Sequence, residues 1–299
     1  MNVTLSSEAA PVTATWRDYL ALTKPRIISL LLFTTMAAMY IADAHRVTVG
    51  LFLAVMFGGY AAAGAANAFN MIYDRDIDAR MDRTAQRPTV TQLIPTRHAF
   101  LFALLLAVGS FVLLWLAANL LTACLALAGL AFYVLVYTML LKRRTWHNIV
   151  IGGAAGAFPP LVGYTAVTNH LTPLAWLLFA IIFVWTPVHF WALALLIKDD
   201  YARVGVPMLP VVHGDRATVV QIIGYTLLTI AVTLLPLFRH EAKWLYLGAA
   251  CLLNGLLLAG SLRLYRKLEK RFAAGLFHYS MLYLALLFLA LALDRSLLH

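Results

Sequence analysis

Acidic residues are scarce in this chain, and a third of them occur in one short stretch. Four of the thirteen Asp and Glu residues lie at positions 74, 76, 78 and 82, just after an apolar run. If the helix of that run continues, Asn70, Asp74 and Asp78 share one face, because residues four apart are neighbours on a helix, and Asp76 points elsewhere. Like charges at this spacing repel each other, so the pattern calls for a compensating cation. Oxygen donors favour Mg²⁺, which binds through one or two carboxylates together with substrate phosphates.

A second acidic pair, Asp199 and Asp200, follows a later apolar run, and basic residues accompany both acidic segments. We predict that Asn70, Asp74 and Asp78 are catalytic. These three residues, together with Asp199 and Asp200, are also predicted to contribute to metal binding. Lys and Arg side chains are the usual donors to phosphate oxygens, so the basic residues nearby are predicted to bind a diphosphate. These residues are Arg83, Arg87, Lys142, Arg143, Lys198 and Arg203.

Composition indicates that these motifs are carried by membrane helices. Of the 299 residues, 63% are hydrophobic and only 12% are charged, whereas soluble domains carry roughly 25% charged residues. This excludes a water-soluble enzyme and a disordered chain. Two cysteines, Cys124 and Cys251, lie within apolar runs and are expected to be buried and unpaired.

The apolar runs predict an all-α fold, a polytopic membrane bundle of nine transmembrane helices. A cytoplasmic N-terminal segment, 1–23, is predicted to precede a single domain, 24–299. The N-terminal segment is not expected to be a secretory signal, because it shows neither the apolar core nor the cleavage site typical of one. The predicted spans lie near 27–42, 48–69, 98–116, 119–141, 149–168, 172–196, 218–238, 243–262 and 277–293.

The distribution of basic residues predicts the orientation of the bundle. All but four of the 23 Lys and Arg residues fall on one set of connections, and the exceptions are Arg46, Arg239, Lys243 and Arg295. Because basic residues accumulate on the cytoplasmic side, the N-terminus is predicted to be cytoplasmic and the C-terminus outside. The long connections that carry both acidic motifs then face the cytoplasm.

A charged site at the ends of apolar spans suits a substrate with a diphosphate head and a hydrocarbon tail, such as an isoprenyl diphosphate. Two other interpretations stay open. The charges of both signs could belong to a solvated loop without chemistry, or the chain could be a secondary transporter with carboxylates at the membrane midplane. Acidic residues at span ends rather than midway disfavour the transporter.

The motifs resemble those of the UbiA-type intramembrane prenyltransferases. The hallmark N-x-x-x-D-x-x-x-D after span two is matched by Asn70, Asp74 and Asp78, and the second acidic motif after span six by Asp199-Asp200. Longer stretches between residues 23 and 216 resemble the branch that farnesylates heme, and the final third matches only by apolar pattern. Quinone-type members carry a further Asp near the position of His189, where this chain has none. The absence of this Asp favours the heme branch, and a 4-hydroxybenzoate prenyltransferase is kept as the alternative.

The resemblance implies a transfer of farnesyl from farnesyl diphosphate to a vinyl group of heme B, with Mg²⁺ as cofactor and addition of water. It also implies an enzyme of the bacterial inner membrane, surrounded by lipid, which binds no nucleic acid. Its partners would be a heme A synthase or terminal oxidase assembly factors. His189, inside span six, is the preferred candidate for contact with the heme, because a polar residue within a span is by default a functional candidate. His147 and His213, at span ends, are the other candidates.

Overall fold

The computed structural model of the protein describes residues 14–298, and these residues form helices and no β-strand. Nine helices in this part of the chain are long and apolar enough to cross a membrane, as the sequence predicts. They are α2 (Pro25–Asp43), α3 (Val49–Tyr73), α5 (Thr96–Ala117), α6 (Leu120–Ala131, continued by a π-helix, Phe132–Leu141), α7 (Asn148–Thr168), α8 (Pro173–Leu196), α11 (Gly214–Phe238), α12 (Trp244–Arg266) and α13 (Lys270–Leu298).

Shorter helices lie between the spans, at α1 (Trp16–Thr23), α4 (Arg75–Asp78), α9 (Lys198–Arg203) and α10 (Leu209–Val212), and a 3₁₀ turn (Ala44–Arg46) follows α2. Of the predicted N-terminal segment, residues 1–13 lie outside the described residues. Long connections at 74–95 and 197–213 occur at the same end of the bundle, which we call the loop-rich end. Which side of the membrane this end faces stays a prediction.

Local chemistry sets the ends of several spans. Thr48, Asn119 and Thr172 each accept a hydrogen bond from a backbone N–H in the first turn of α3, α6 and α8. Side chains of this kind stabilise a helix start because they satisfy N–H groups without an intrahelical partner. Pro25 and Pro173 occupy the first positions of α2 and α8, where a missing N–H is tolerated.

The centre of the bundle is formed by α7 and α8, in each of which more than half of the residues of the most apolar stretch are buried. α7 packs between α2 and α8, and α8 also contacts α11 and α13. α5 and α6 lie at the periphery, and few residues of their most apolar stretches are buried. The expectation that Cys124 and Cys251 are buried is wrong, because both are free and exposed on outward faces of α6 and α12.

A buried acid within α13 has a structural explanation. Asp294 has no solvent exposure, and its carboxylate accepts hydrogen bonds from the backbone N–H groups of Lys243 (2.6 Å) and Tyr246 (3.1 Å). These groups belong to the first turn of α12, so a side chain from another helix caps it. The negative charge also lies at the positive end of the α12 dipole.

α2 and α7 cross with their backbones in contact at Gly163. A Cβ atom built on Gly163 would lie 2.0 Å from the carbonyl oxygen of Thr35. Small residues permit this close approach of membrane helices. The crossing therefore depends on a residue without a side chain at this position.

Gly163→Ala is expected to destabilise the protein, because its methyl group would overlap the Thr35 carbonyl and force α2 and α7 apart. Overpacking costs about 1–3 kcal/mol in a typical core. Gly156→Ala is the matched control on the same helix, since a Cβ there meets nothing within 4 Å. Thermal melting in detergent micelles compares the two variants, and equal melting temperatures would contradict the crossing.

Candidate active site

The structure brings Asn70, Asp74 and Asp78 onto one buried face at the loop-rich end. Asn70 lies in the last turn of α3, Asp74 follows it and Asp78 ends α4. The backbone N–H of Asp74 donates to the Asn70 carbonyl (2.9 Å), and that of Asp78 to the Asp74 carbonyl (2.8 Å). Helical hydrogen bonding thus continues across the junction of α3 and α4, and this continuity aligns the three side chains.

Asp74 is fully buried, and three donors surround its carboxylate. Lys142 Nζ and Asn70 Nδ2 both donate to Asp74 Oδ2, the latter at 2.7 Å. Arg143 approaches Oδ1 at 3.4 Å. A buried charge is tolerated only when it is paired and hydrogen-bonded, and Asp74 meets this requirement.

Asp78 is paired with Arg87, nine residues further along the chain. Between them, the hydroxyl of Thr84 donates to the Asp78 carbonyl at 2.9 Å, which folds the connection back on itself. Arg87, which the sequence analysis predicts to bind a diphosphate, is thereby held beside the carboxylate face.

Arg143 links the buried face to the surface. It forms two hydrogen bonds of 2.7 Å with the carboxylate of Asp76, in the bidentate geometry that favours Arg. These bonds lower the pKa of Asp76 below its usual range. Asp76 points away from Asp74 and Asp78, as expected from its spacing, and Arg143 also lies over the Tyr73 ring at 5.0 Å.

Asn70, Asp74 and Asp78 and the cations beside them form a charged cluster. Lys24 belongs to it, although the sequence analysis gave this residue no role. It lies between α1 and α2 with a positive φ of 56°, and its Nζ is 3.1 Å from Asn70 Oδ1. Burial, together with repulsion from Arg87 and Lys142, lowers the pKa of Lys24 to about 7. In the sequence, the only indication near this residue is Pro25, directly after it. A proline there marks a helix start, but it does not indicate what the lysine contacts.

The π-helix supplies a second wall of the site. Its wider turns place Tyr133, Tyr137 and Lys142 at intervals of four and five residues, the spacing that aligns side chains in a π-helix. The hydroxyl of Thr138, on the same segment, accepts from Asn70 Nδ2 at 3.2 Å. The sequence predicted one helix for this span, without indicating its change of geometry.

An apolar cavity of about 330 Å³ begins next to this cluster. Asn67, one turn before Asn70 on α3, lines it together with Tyr133 and Tyr137. Away from this polar end its walls are mostly apolar side chains and glycines of α2, α3, α6, α7 and α8, together with Thr35 and Thr186. Along α7 it extends from Ile149 to Val162, about 20 Å at the rise of a helix.

The second acidic motif lies beside Arg83, which is five residues after Asp78 along the chain. Asp200 Oδ2 lies 3.7 Å from Arg83 Nε, and Arg83 also lies over the ring of Tyr201 at 5.7 Å. Tyr201 is buried, which raises the pKa of its hydroxyl. Asp199 is exposed. Its role and that of Asp200 in metal binding stay predictions.

The donor set fits a magnesium ion that takes part of its coordination from a substrate. Among the described residues no group of three His, Cys, Asp or Glu side chains is placed to hold a metal. Asp74 and Asp78, with the amide oxygen of Asn70, nevertheless offer buried oxygen donors on one face. Mg²⁺ is typically bound in this way, through one or two carboxylates plus phosphates and waters.

Two predicted diphosphate-binding residues have partners elsewhere. Lys198 Nζ pairs with Asp215 at 2.7 Å, and Arg203 pairs with the exposed carboxylate of Asp82 at 2.8 Å. The structure thus does not bring them to the Asp74 face, whereas it does bring Arg87, Lys142 and Arg143.

The three candidate histidines lie in two places. His147 and His213 flank Trp146 at the loop-rich end, with ring centroids 3.6 Å and 5.0 Å from that of Trp146. Both histidines are exposed. His189 lies within α8, between the rings of two aromatic residues.

The profile of the UbiA prenyltransferase family matches residues 31–293. The chain belongs to the UbiA prenyltransferase family. A protoheme IX farnesyltransferase of Thermus thermophilus is 66% identical over 283 residues, which are 95% of this chain and 46% of that protein. A protoheme IX farnesyltransferase of Deinococcus radiodurans is 54% identical, and the match covers 100% of both chains. The chain thus spans about half the length of the Thermus relative.

Solved structures share the fold at low sequence identity. A digeranylgeranylglyceryl phosphate synthase has a TM-score of 0.77 at 18% identity, covering 94% of this chain and 98% of its own. A UbiA homolog from Archaeoglobus fulgidus, bound to DMAPP and Mg²⁺, has a TM-score of 0.70 at 17% identity, covering 92% and 99%. At these identities the likeness establishes the nine-helix fold alone.

Lys142→Met is expected to lower the free energy of unfolding by roughly 3 kcal/mol, because it removes the ammonium paired with the buried Asp74. Asp74→Asn should also destabilise, and the double variant should lose less than the sum of the two, because the charges are coupled. Lys198→Met is the control. Its pair with Asp215 is about one-third exposed, so its loss should cost about 0–1 kcal/mol. Thermal unfolding in micelles measures all four, and strictly additive losses would argue against the pair.

Proposed function

We propose that the protein transfers a farnesyl group from farnesyl diphosphate to a vinyl group of heme B, with addition of water, giving heme O and diphosphate. The names of its relatives and its membership of the UbiA family support a prenyl transfer to heme. The observation that carries the proposal is the position of the buried Asn70, Asp74 and Asp78 next to an apolar cavity, which Asn67 lines one turn before Asn70. Such a cavity accepts the hydrocarbon tail while the charged cluster holds the head.

The charged cluster would bind the diphosphate through its cations. Arg87, Lys142 and Arg143 pair with carboxylates and Lys24 donates to the Asn70 amide oxygen, so all four lie beside the buried face, and each can donate to phosphate oxygens. Mg²⁺ held by Asn70, Asp74 and Asp78 would neutralise part of the diphosphate charge and make it a better leaving group. The acidic side chains orient the metal, and the cations stabilise the negative charge that develops on the leaving oxygen.

The chemistry proceeds by departure of diphosphate with the electron pair of the C–O bond. The allylic cation of the farnesyl group is attacked by the terminal vinyl carbon, which forms the new C–C bond. Water adds to the resulting cation on the adjacent carbon and loses a proton, which leaves a hydroxyl group. The apolar walls of the cavity limit capture of the first cation by water, so the vinyl group reacts before the solvent does.

Heme contact is proposed for His189, with His147 and His213 as further candidates at the surface. The two exposed histidines on either side of Trp146 could meet heme propionates at the rim of the bundle. The proposed setting is the inner membrane of a bacterium, with the loop-rich end in the cytoplasm. The product would be passed to a heme A synthase or to terminal oxidase assembly factors.

The decisive experiment is incubation of the purified protein with heme B, farnesyl diphosphate and Mg²⁺, with products identified by mass. Heme O is expected from the unmodified protein and not from Asp74→Ala or Asp78→Ala, because both lose a buried oxygen donor. Asp215→Asn, at an acid outside the cluster, should retain activity. Full activity in both Ala variants would refute the assigned site. A prenylated 4-hydroxybenzoate in a parallel reaction would identify the quinone branch instead, and solute transport without covalent change would identify a transporter.

Gly156→Leu is expected to shift the preferred prenyl donor from farnesyl to geranyl diphosphate. Gly156 lines the cavity and a Cβ there meets nothing within 4 Å, so a larger side chain would fill space needed by the tail. One methylene in an apolar pocket changes kcat/KM by about tenfold or more, so the farnesyl-to-geranyl ratio should fall at least that much.

Gly248→Leu controls for the added bulk. Its Cβ also meets nothing within 4 Å, but Gly248 is exposed on α12 and does not line the cavity. This variant should keep the unmodified ratio. An unchanged ratio in Gly156→Leu would show that the tail lies elsewhere.

A further inference from the structure

The ring of His189 is held on both faces by aromatic side chains. Its centroid lies 4.6 Å from the Trp185 ring and 4.7 Å from the Phe277 ring, with interplanar angles of 14° and 23°. Because both faces are covered, the ring makes polar contacts only through its edge. The two ring nitrogens therefore decide what His189 can do.

One of these nitrogens is engaged by Ser280 of α13, with Nδ1 2.8 Å from Oγ. The serine hydroxyl has a single proton, and the Phe277 carbonyl lies 2.7 Å away as its acceptor. Helical serines commonly donate to the backbone in this way. The remaining lone pairs of Ser280 Oγ then accept from Nδ1–H, which leaves His189 Nε2 with a free lone pair.

The position of Ser280 is itself fixed, and the histidine lies next to the cavity. Trp185 Nε1 donates to the Ser280 carbonyl at 3.0 Å, so the same tryptophan stacks on the histidine and anchors its partner. Thr186 and Phe190 both line the cavity. His189 follows Thr186 by three residues and directly precedes Phe190, so it lies at the border of the cavity-facing side of α8.

We propose that Ser280 is a positioning residue that fixes the Nδ1–H tautomer of His189 and so presents Nε2 to the iron of the heme substrate. Histidines that bind metal almost always donate their other ring N–H to an acceptor, which sets the tautomer and raises the basicity of the ligand. The inference rests on the proposed function, since it takes heme B as the substrate. It adds a residue of α13 that no motif indicates.

The test is a titration of the full-length protein with heme B in detergent, without prenyl diphosphate. Resonance Raman spectra of the reduced complex should show an iron–histidine stretching band, which His189→Ala should lack. Ser280→Ala is expected to bind heme about 10–100-fold more weakly and to shift the band to lower frequency, because Nδ1–H loses its acceptor. Ser280→Thr retains a hydroxyl and should restore both.

Ser261→Ala is the matched control, since Ser261 is also a buried serine that donates to a carbonyl of its own helix, Leu257 at 2.9 Å. It should change neither affinity nor band. If Ser280→Ala does not fold, as judged by its melting, Ser280→Cys with its weak acceptor serves instead. A band that survives in His189→Ala, or identical spectra and affinity for the Ser280 variant, overturns the inference.

Mass analysis of the same preparations separates this inference from the proposed function. An unmodified protein that makes heme O but shows no iron–histidine band overturns the role of Ser280 and His189 alone. A protein that makes no prenylated heme with any donor overturns the proposed function as well.

Discussion

A carboxylate without access to solvent governs the arrangement of the loop-rich end. Removing the charge of Asp74 from water costs several kcal/mol, and only close partners offset that cost. Lys142, Asn70 and Arg143 are those partners. Asn70 belongs to α3, whereas Lys142 and Arg143 directly follow the π-helix, so the compensation of one charge joins two distant parts of the chain. The same requirement leaves several cations at one place, where an anionic head could take over their pairing.

A diphosphate-headed lipid would require a charged site for its head and an apolar space for its tail. The charged cluster and the apolar cavity correspond to these two requirements. Cations and carboxylates are confined to the ends of the spans, where their desolvation is least costly. Behind them, glycines and small side chains leave space, and the crossing of α2 and α7 at Gly163 brings Thr35 and Val162 together at the wall of the cavity. Because its walls are helices packed against one another, the cavity would accommodate the tail of such a lipid only up to a limited length.

Much of the fold was predictable, because apolar runs of the length of a membrane span can hardly form anything but helices. The caps and helix-start prolines also followed local rules. The π-helix of Phe132–Leu141 did not, since its side chains are as apolar as those of an α-helix and the widened turns arise from packing. The exposure of Cys124 and Cys251 was missed for a related reason. In a membrane protein, apolar residues occur both in the core and on the lipid-facing surface. Hydropathy therefore does not indicate which of the two positions a cysteine occupies.

Nine apolar spans and the shared face of Asn70, Asp74 and Asp78 follow from the sequence alone, because a helix brings residues four apart close together. The packing of the helices selects the cations that meet that face: Lys24 lies against it, whereas Lys198 pairs with Asp215. Packing also sets the contact of His189 with Ser280, which are 91 residues apart. Such contacts depend on how helices pack, and local periodicity carries no information about the partner that a side chain meets across the bundle.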